Sequence, residues 1–214
     1  MIENGLFISF EGPDGAGKTS VLKVILDRLK PLLGERLLIT REPGGNNNVI
    51  AENIRVLLLN SDYPVIDSKT EVLLFAAARR EHVVKTIIPA LKSGKIVISD
   101  RYIDSSIAYQ GGGRKVGEKE VFDINLFATD GLLPNKTIYF DVRPEIGIER
   151  INSTRVDEIN RLDKEEMSFH NRVNEAYHSI ITNDMKRFHV INAERNFEDV
   201  VSETWRIVTE ILQI

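Results

Sequence analysis

Gly12-Pro13-Asp14-Gly15-Ala16-Gly17-Lys18-Thr19 is the stretch that decides how this chain is read. It matches G-x-x-x-x-G-K-[ST] in full, follows a short apolar run and opens a segment of helical period. Glycines let the backbone bend so that successive N–H groups turn inward on phosphate oxygens. A helix N-terminus behind them adds partial positive charge. Lys18 is then placed to reach the β- and γ-phosphates of a triphosphate such as ATP, and the Thr19 hydroxyl to ligate Mg²⁺. A phosphate-binding loop of this kind serves kinases, GTPase switches and mechanical ATPases alike. Guanine readers of the switch type carry Asn-Lys-x-Asp after a strand. Here Asn135-Lys136-Thr137-Ile138 has Ile at the Asp position and precedes a strand-like run.

Outward from the loop, short apolar runs alternate with longer helical segments. Leu6 to Phe10, Arg36 to Thr40, Lys95 to Ser99, Thr137 to Phe140 and Phe188 to Ile191 read as strands bounded by Gly, Pro, Asp or Asn. Their continuous apolar character suits a sheet buried on both faces. Thr19 to Leu33, Ser68 to Lys92, Lys164 to Asp184 and Phe197 to Gln213 read as helices. The second shows Leu73, Leu74, Ala77, Val84, Ile87, Ile88 and Leu91 as an inward stripe. This alternation predicts an α/β fold with a parallel sheet and right-handed crossovers. Residues 152–164 (NSTRVDEINRLDK) break the pattern and read as a solvated loop or a lid. Gly111-Gly112-Gly113 reads as a flexible turn.

Bulk properties narrow the classes. A chain of 214 residues fits one domain, or a core domain with a small mobile insert. A net charge of −4 lacks the basic excess that gripping DNA or RNA requires, so no nucleic-acid partner is expected. The absence of cysteine excludes disulfides, Cys-bound zinc and thiol catalysis. The N-terminus has no basic region followed by a long apolar stretch, and no window is of bilayer length. The expectation is a cytoplasmic protein without a membrane partner. His82, His170, His178 and His189 show no metal-ligand spacing and read as surface or half-buried.

Three further segments carry chemistry. Asp100 and Arg101 close the Lys95–Ser99 run, at the strand end where phosphate-loop enzymes place the carboxylate that orients Mg²⁺. Arg101 is there to clamp phosphate. Thr40-Arg41-Glu42-Pro43-Gly44-Gly45 follows another strand, where open α/β sheets bind ligands. Phe75 and Arg79 lie four apart on one helix face, an aromatic plane beside a forked cation, suited to stacking a base and donating to its carbonyl edge.

FEGPDGAGKTS, TREPGG, LLFAAARREH, SDRYIDSSIAYQG and NRLD, taken together, resemble the thymidylate kinase family over nearly the whole chain. The resemblance implies a nucleoside monophosphate kinase fold: a five-stranded parallel sheet flanked by helices in one domain over 1–214, with a lid near 152–164. It also implies ATP as donor, dTMP as acceptor, Mg²⁺ as cofactor, dTDP and ADP as products, and a homodimer. By the same resemblance Gly12 to Thr19 bind ATP, and Thr19 and Asp100 serve the metal. Asp14 approaches the acceptor's 3′-hydroxyl, while Arg41, Glu42, Arg101 and Arg55 flank its phosphate and the metal. Phe75 stacks on thymine, Arg79 reads O4, Ser106 and Gln110 meet the ring's polar edge, and Tyr102 crowds the sugar's 2′ position. Gly15 and Ala16 stand where some members carry a P-loop arginine. The chain thus resembles the type that supplies cations from the lid, with Arg155 and Arg161 as candidates. The spacing from Gly45 to Arg55 is slightly longer than the commonest family spacing. The rival readings are a kinase for another monophosphate, and a P-loop switch that hydrolyses ATP or GTP without an acceptor.

Overall fold

The computed structural model describes residues 5–45, 48–60, 63–154 and 165–214. Five strands, β1 (Leu6–Glu11), β2 (Leu37–Arg41), β3 (Ile96–Asp100), β4 (Lys136–Asp141) and β5 (Phe188–Asn192), form one sheet in the order β2-β3-β1-β4-β5. All neighbours run parallel, with Phe10 level with Asp100, and Arg41 level with Asp100 on the other side. The five expected strands are thus present to within a residue or two at each end. Strand order reverses at the β3–β1 junction, so loops leaving β1 and β3 diverge and open a crevice at their carboxyl ends.

The pleat sends alternate residues to two cores. Ile8, Phe10, Ile98, Ile138 and Phe140 face α1 (Lys18–Leu33) and α9 (Phe197–Leu212). Phe7, Val97 and Tyr139 face α3 (Ser68–His82), α6 (Glu118–Thr129) and α8 (Met167–Asn183). Each such buried side chain contributes about 1.5–3 kcal/mol. Asn48, Asp67 and Asn196 cap α2 (Val49–Leu59), α3 and α9 by accepting backbone N–H bonds from the first turn.

The segment read as one helix from Ser68 to Lys92 is α3 continued through a π-helical turn (Val83–Ile87) into α4 (Ile88–Lys92). Its inward stripe matches the expected one at Ile87, Ile88 and Leu91 but differs within α3. Leu73 is 59% exposed and Ala77 is exposed too, whereas Glu71, Val72, Phe75, Ala76, Ala78, Arg79 and His82 are buried. Three polar residues occupy the inner face because each finds a partner there, as described below. The Gly111–Gly113 turn is also corrected. Those glycines end a π-helical segment (Ile107–Gly113) that continues α5 (Ile103–Ser106). A Cβ on Gly112 would lie 2.5 Å from the Ala176 Cβ, and one on Gly113 2.6 Å from the Phe169 ring, so the glycines permit α8 to approach closely. Helices α2, α6 and α7 (Pro144–Thr154) were not legible in the apolar periodicity. Among the described residues no helix is long and apolar enough to cross a membrane.

Candidate active site

The loops leaving β1, β2 and β3 line a cavity of about 250 Å³ that runs from the glycine-rich loop to Phe75, Arg79 and Gln110. At its first end Gly15 and Gly17 take positive φ values of 77° and 75°. A Cβ on Gly15 would sit 2.0 Å from the Gly147 carbonyl oxygen of α7, so only glycine fits. The N-terminus of α1 has no side-chain cap and no acidic residue in its first turn. Its N–H groups are left for an anion. Lys18 is buried and ion-paired with Asp100 Oδ1, and the Thr19 hydroxyl donates to Asp100 Oδ2 at 3.2 Å. Burial would raise the Asp100 carboxyl, but Lys18 and Arg101 outweigh it and hold the group below the usual carboxylate range.

Among the described residues no three His, Cys, Asp or Glu side chains gather as a metal cage. Asp100 and Thr19 instead offer two hard oxygens, the donor set of a Mg²⁺ that takes its other ligands from phosphate and water.

Arg101 occupies the centre. Its backbone is left-handed, φ 67°, a conformation costing about 1–3 kcal/mol for a residue with a side chain. The guanidinium donates to the Gly12 carbonyl at 2.9 Å, to Ser105 Oγ at 2.9 Å and to Asp14 Oδ1 at 2.6 Å. Burial opposes its charge, but the oxygens of Tyr109, Asp14, Tyr177 and Glu11 around it prevail and keep it protonated. Tyr109 donates to Asp14 Oδ2 at 2.6 Å, and the Arg101 guanidinium lies 5.1 Å from its ring centroid.

Tyr102 behaves otherwise than expected. Its side chain is fully buried, edge-on to Phe7 at 4.9 Å, and its hydroxyl donates to the Leu132 carbonyl at 3.1 Å. The ring and hydroxyl therefore pack into the core, although Tyr102 still borders the cavity, and it is the Tyr109 hydroxyl that meets Asp14 there.

Behind Arg101 lies Glu11, the last residue of β1, fully buried. It accepts from the Tyr102 N–H at 2.7 Å, Ser105 Oγ at 2.6 Å and the Tyr177 hydroxyl at 3.0 Å. Burial, and next the Asp104 charge, push its carboxyl up to about 7 from 4.5. A carboxyl raised on folding stabilises fully below its unfolded value, and that contribution is lost as pH rises through the folded value. Thermal unfolding between pH 5 and 8 should therefore show Glu11→Gln gaining on the native chain as pH rises, by up to about 3 kcal/mol. A difference that stays constant with pH would contradict this. An acidic residue closing an otherwise apolar strand was the available signal for Glu11; nothing local marked Ser105 or Tyr177.

At the far end Arg79 is 2% exposed. Its Nε donates to Glu42 Oε2 at 2.6 Å, NH2 donates to the Tyr102 carbonyl at 3.2 Å and Ser106 Oγ at 3.0 Å, and NH1 donates to Asn125 Oδ1. Of the five guanidinium N–H groups, one on NH1 remains for a ligand. The other Glu42 oxygen lies 2.9 Å from His82 Nδ1, and His82 Nε2 lies 2.6 Å from Thr40 Oγ1. Glu42 thus holds Arg79 and His82 while also lining the cavity. Burial would raise its carboxyl, but Arg79 and His82 keep it low. His82, expected at the surface or half-buried, is fully buried in this network.

Phe75 lines the same end, and Gln110 donates from Nε2 to Glu71 Oε1 at 2.8 Å. Arg41 and Arg55 converge at the mouth, donating to the Pro43 carbonyl at 2.9 and 2.8 Å. Glu52, which had no sequence signal, fixes Arg41 at 2.9 Å and the Gly45 N–H at 3.0 Å. Arg155 and Arg161 lie outside the described residues.

The family model described as thymidylate kinase matches residues 10–204. The chain is 53% identical over 207 residues to a thymidylate kinase of Leuconostoc citreum (strain KM20), covering 97% of this chain and 96% of that one. It is 50% identical over 211 residues to that of Levilactobacillus brevis, covering 98% of each. The crystal structure of thymidylate kinase from Ehrlichia chaffeensis superposes with a TM-score of 0.76 at 33% identity, covering 96% of this chain and 99% of that one. The shared five-stranded sheet, a phosphate loop that opens into a base-sized recess, and identity at this level over nearly the full length together lead to one conclusion: the chain belongs to the thymidylate kinase family.

Proposed function

We propose that ATP lies on Gly12–Thr19 and dTMP in the recess beyond, so that the γ-phosphate passes directly between them. The activity is that of an ATP-dependent nucleoside monophosphate kinase converting dTMP to dTDP with release of ADP, a step toward dTTP. The observation that carries the arrangement is the continuity of one cavity from the phosphate loop to Arg79, Ser106 and Gln110.

Within it, Phe75 stacks on thymine, Arg79 donates to O4, and Arg41, Arg55 and Arg101 receive the acceptor phosphate. Asp14 meets the 3′-hydroxyl, and Tyr109, bonded to Asp14, stands beside the sugar in the place expected of Tyr102. The acceptor phosphate is already anionic, so catalysis is positioning plus neutralisation of the transferring charge. Lys18 exchanges Asp100 for phosphate oxygens, and Arg101 bridges donor and acceptor. Thr19 and Asp100 would hold Mg²⁺, which would supply charge neutralisation for the transferring phosphate.

We assign one domain to 1–214, with residues 152–164 as a lid bringing Arg161, and beside it Arg155, to the transferring group. ADP release measured against dTMP, dUMP, CMP and GMP tests the whole reading. Turnover of dTMP is expected, falling about 10²–10³-fold in Arg161→Ala at saturating dTMP. Activity with CMP and none with dTMP would overturn the substrate, and normal turnover in Arg161→Ala would overturn the lid role.

A homodimer is supported by Ile50, Leu57, Leu73 and Phe127 of α2, α3 and α6, which are 55%, 41%, 59% and 88% exposed. Phe127→Asp should then sediment as a monomer at concentrations where the native chain is a dimer; two monomers alike would refute it. A cytoplasmic location fits a cysteine-free chain acting on ATP and dTMP, and recovery in another cell fraction would count against it.

A further inference from the structure

Glu71 sits in the first turn of α3, fully buried, yet it does not line the cavity. A carboxylate in such a place is expensive unless its hydrogen bonds do something. Its Oε1 accepts from Gln110 Nε2 at 2.8 Å and lies 3.4 Å from Arg114 Nε, and Arg114 NH1 lies 2.6 Å from Glu165 Oε1.

A glutamine amide has an accepting end and a donating end, and rotation by half a turn exchanges them. A carboxylate backed by an arginine is an acceptor, so only the NH₂ end of Gln110 can face Glu71. Gln110 itself lines the cavity, and the end turned away from Glu71 is its carbonyl. Beside it stands Arg79, which can only donate.

The recess therefore offers a donor next to an acceptor. That pair complements the O4 carbonyl and the N3–H of thymine or uracil. Cytosine presents an amino group and an unprotonated N3, the reverse order. A glutamine free to rotate would accommodate the cytosine N3; one clamped at its NH₂ end would not.

We infer that Glu71 is a specificity-determining positioning residue, locking the Gln110 amide so that its carbonyl meets the base. The inference rests on the placement of dTMP proposed above.

The test compares kcat/KM for dTMP with that for dCMP, measured by ADP release, in the native chain, Glu71→Gln, Gln110→Leu and the double variant. Glu71→Gln should lower the dTMP:dCMP ratio by about tenfold or more, through KM rather than kcat, with the KM for ATP unchanged. In the Gln110→Leu background it should change the ratio no further, because Glu71 acts through Gln110. A ratio that falls in Gln110→Leu but not in Glu71→Gln overturns the role of Glu71 alone. An equal fall with and without Gln110 shows that Glu71 acts elsewhere and also overturns it. No fall in either variant removes the base-edge reading and this inference with it. Should Glu71→Gln fail to fold, the native chain still decides. The Gln110 side-chain amide, assigned by its loss in Gln110→Leu, should exchange with solvent far more slowly than exposed glutamines, and equal exchange refutes the clamp.

Discussion

Lys18→Ala should lower kcat by about 10³-fold with both nucleotides saturating, while calorimetry should find the affinity for dTMP within about threefold of the native chain's. Lys18 is the buried ammonium at the donor end of the cavity, held on Asp100 and next to the open N-terminus of α1. Lys18 is buried, so its removal leaves the charge building on the γ-phosphate without its preorganised cation. The acceptor recess is formed by other residues, which is why dTMP binding should persist. A variant turning over within about threefold of the native chain would show that this lysine is not the one that meets the transferring group.

Arg79→Met should do two separable things. It strands Glu42, whose Oε2 loses its partner at 2.6 Å in a fully buried setting, at a cost of about 3–5 kcal/mol in unfolding free energy. It also removes the purely donating group proposed to meet the base, and should lower kcat/KM for dTMP by at least about 10²-fold, since a recess shaped for a hydrogen bond discriminates strongly when the bond is missing. The double variant Arg79→Met, Glu42→Leu separates these effects. Removing both charges should restore most of the stability, because the penalty lies in the unpaired carboxylate, but none of the dTMP turnover. Denaturant unfolding and ADP-release kinetics report the two quantities independently. Recovery of turnover in the double variant would mean that Arg79 serves only Glu42 and never touches the substrate.

The residues whose placement was legible in the sequence are those set by near neighbours. Phe75 and Arg79 share a face because helical spacing puts them there, and Asp100 stands at a strand end because an apolar run stops at it. Tyr102 and Tyr109 show where such reading fails. Both are tyrosines in one motif, and the left-handed turn at Arg101 sends the first into the core, leaving the second on Asp14. The inner stripe of α3 failed for a related reason. Apolar periodicity assumes that polar residues face water, whereas Glu71, Arg79 and His82 are buried against partners reached 39, 37 and 40 residues away. The outward Leu73, Val56 and Phe127 blurred the pattern from the other side, and α2 and α6 went unread with them.

By itself the sequence determined the phosphate loop, the five strands, the parallel α/β class and the family resemblance. All of these rest on local spacing: a glycine turn, an apolar run, a motif of adjacent residues. Only the tertiary structure decided that Glu42 holds Arg79, that the Tyr109 hydroxyl and not that of Tyr102 meets Asp14, and that Glu11 and Glu71 stand behind the site. Those choices turn on pairing between buried polar groups far apart in the chain. Burial makes each pairing obligatory, and spacing along the sequence cannot say which partner folding will bring near.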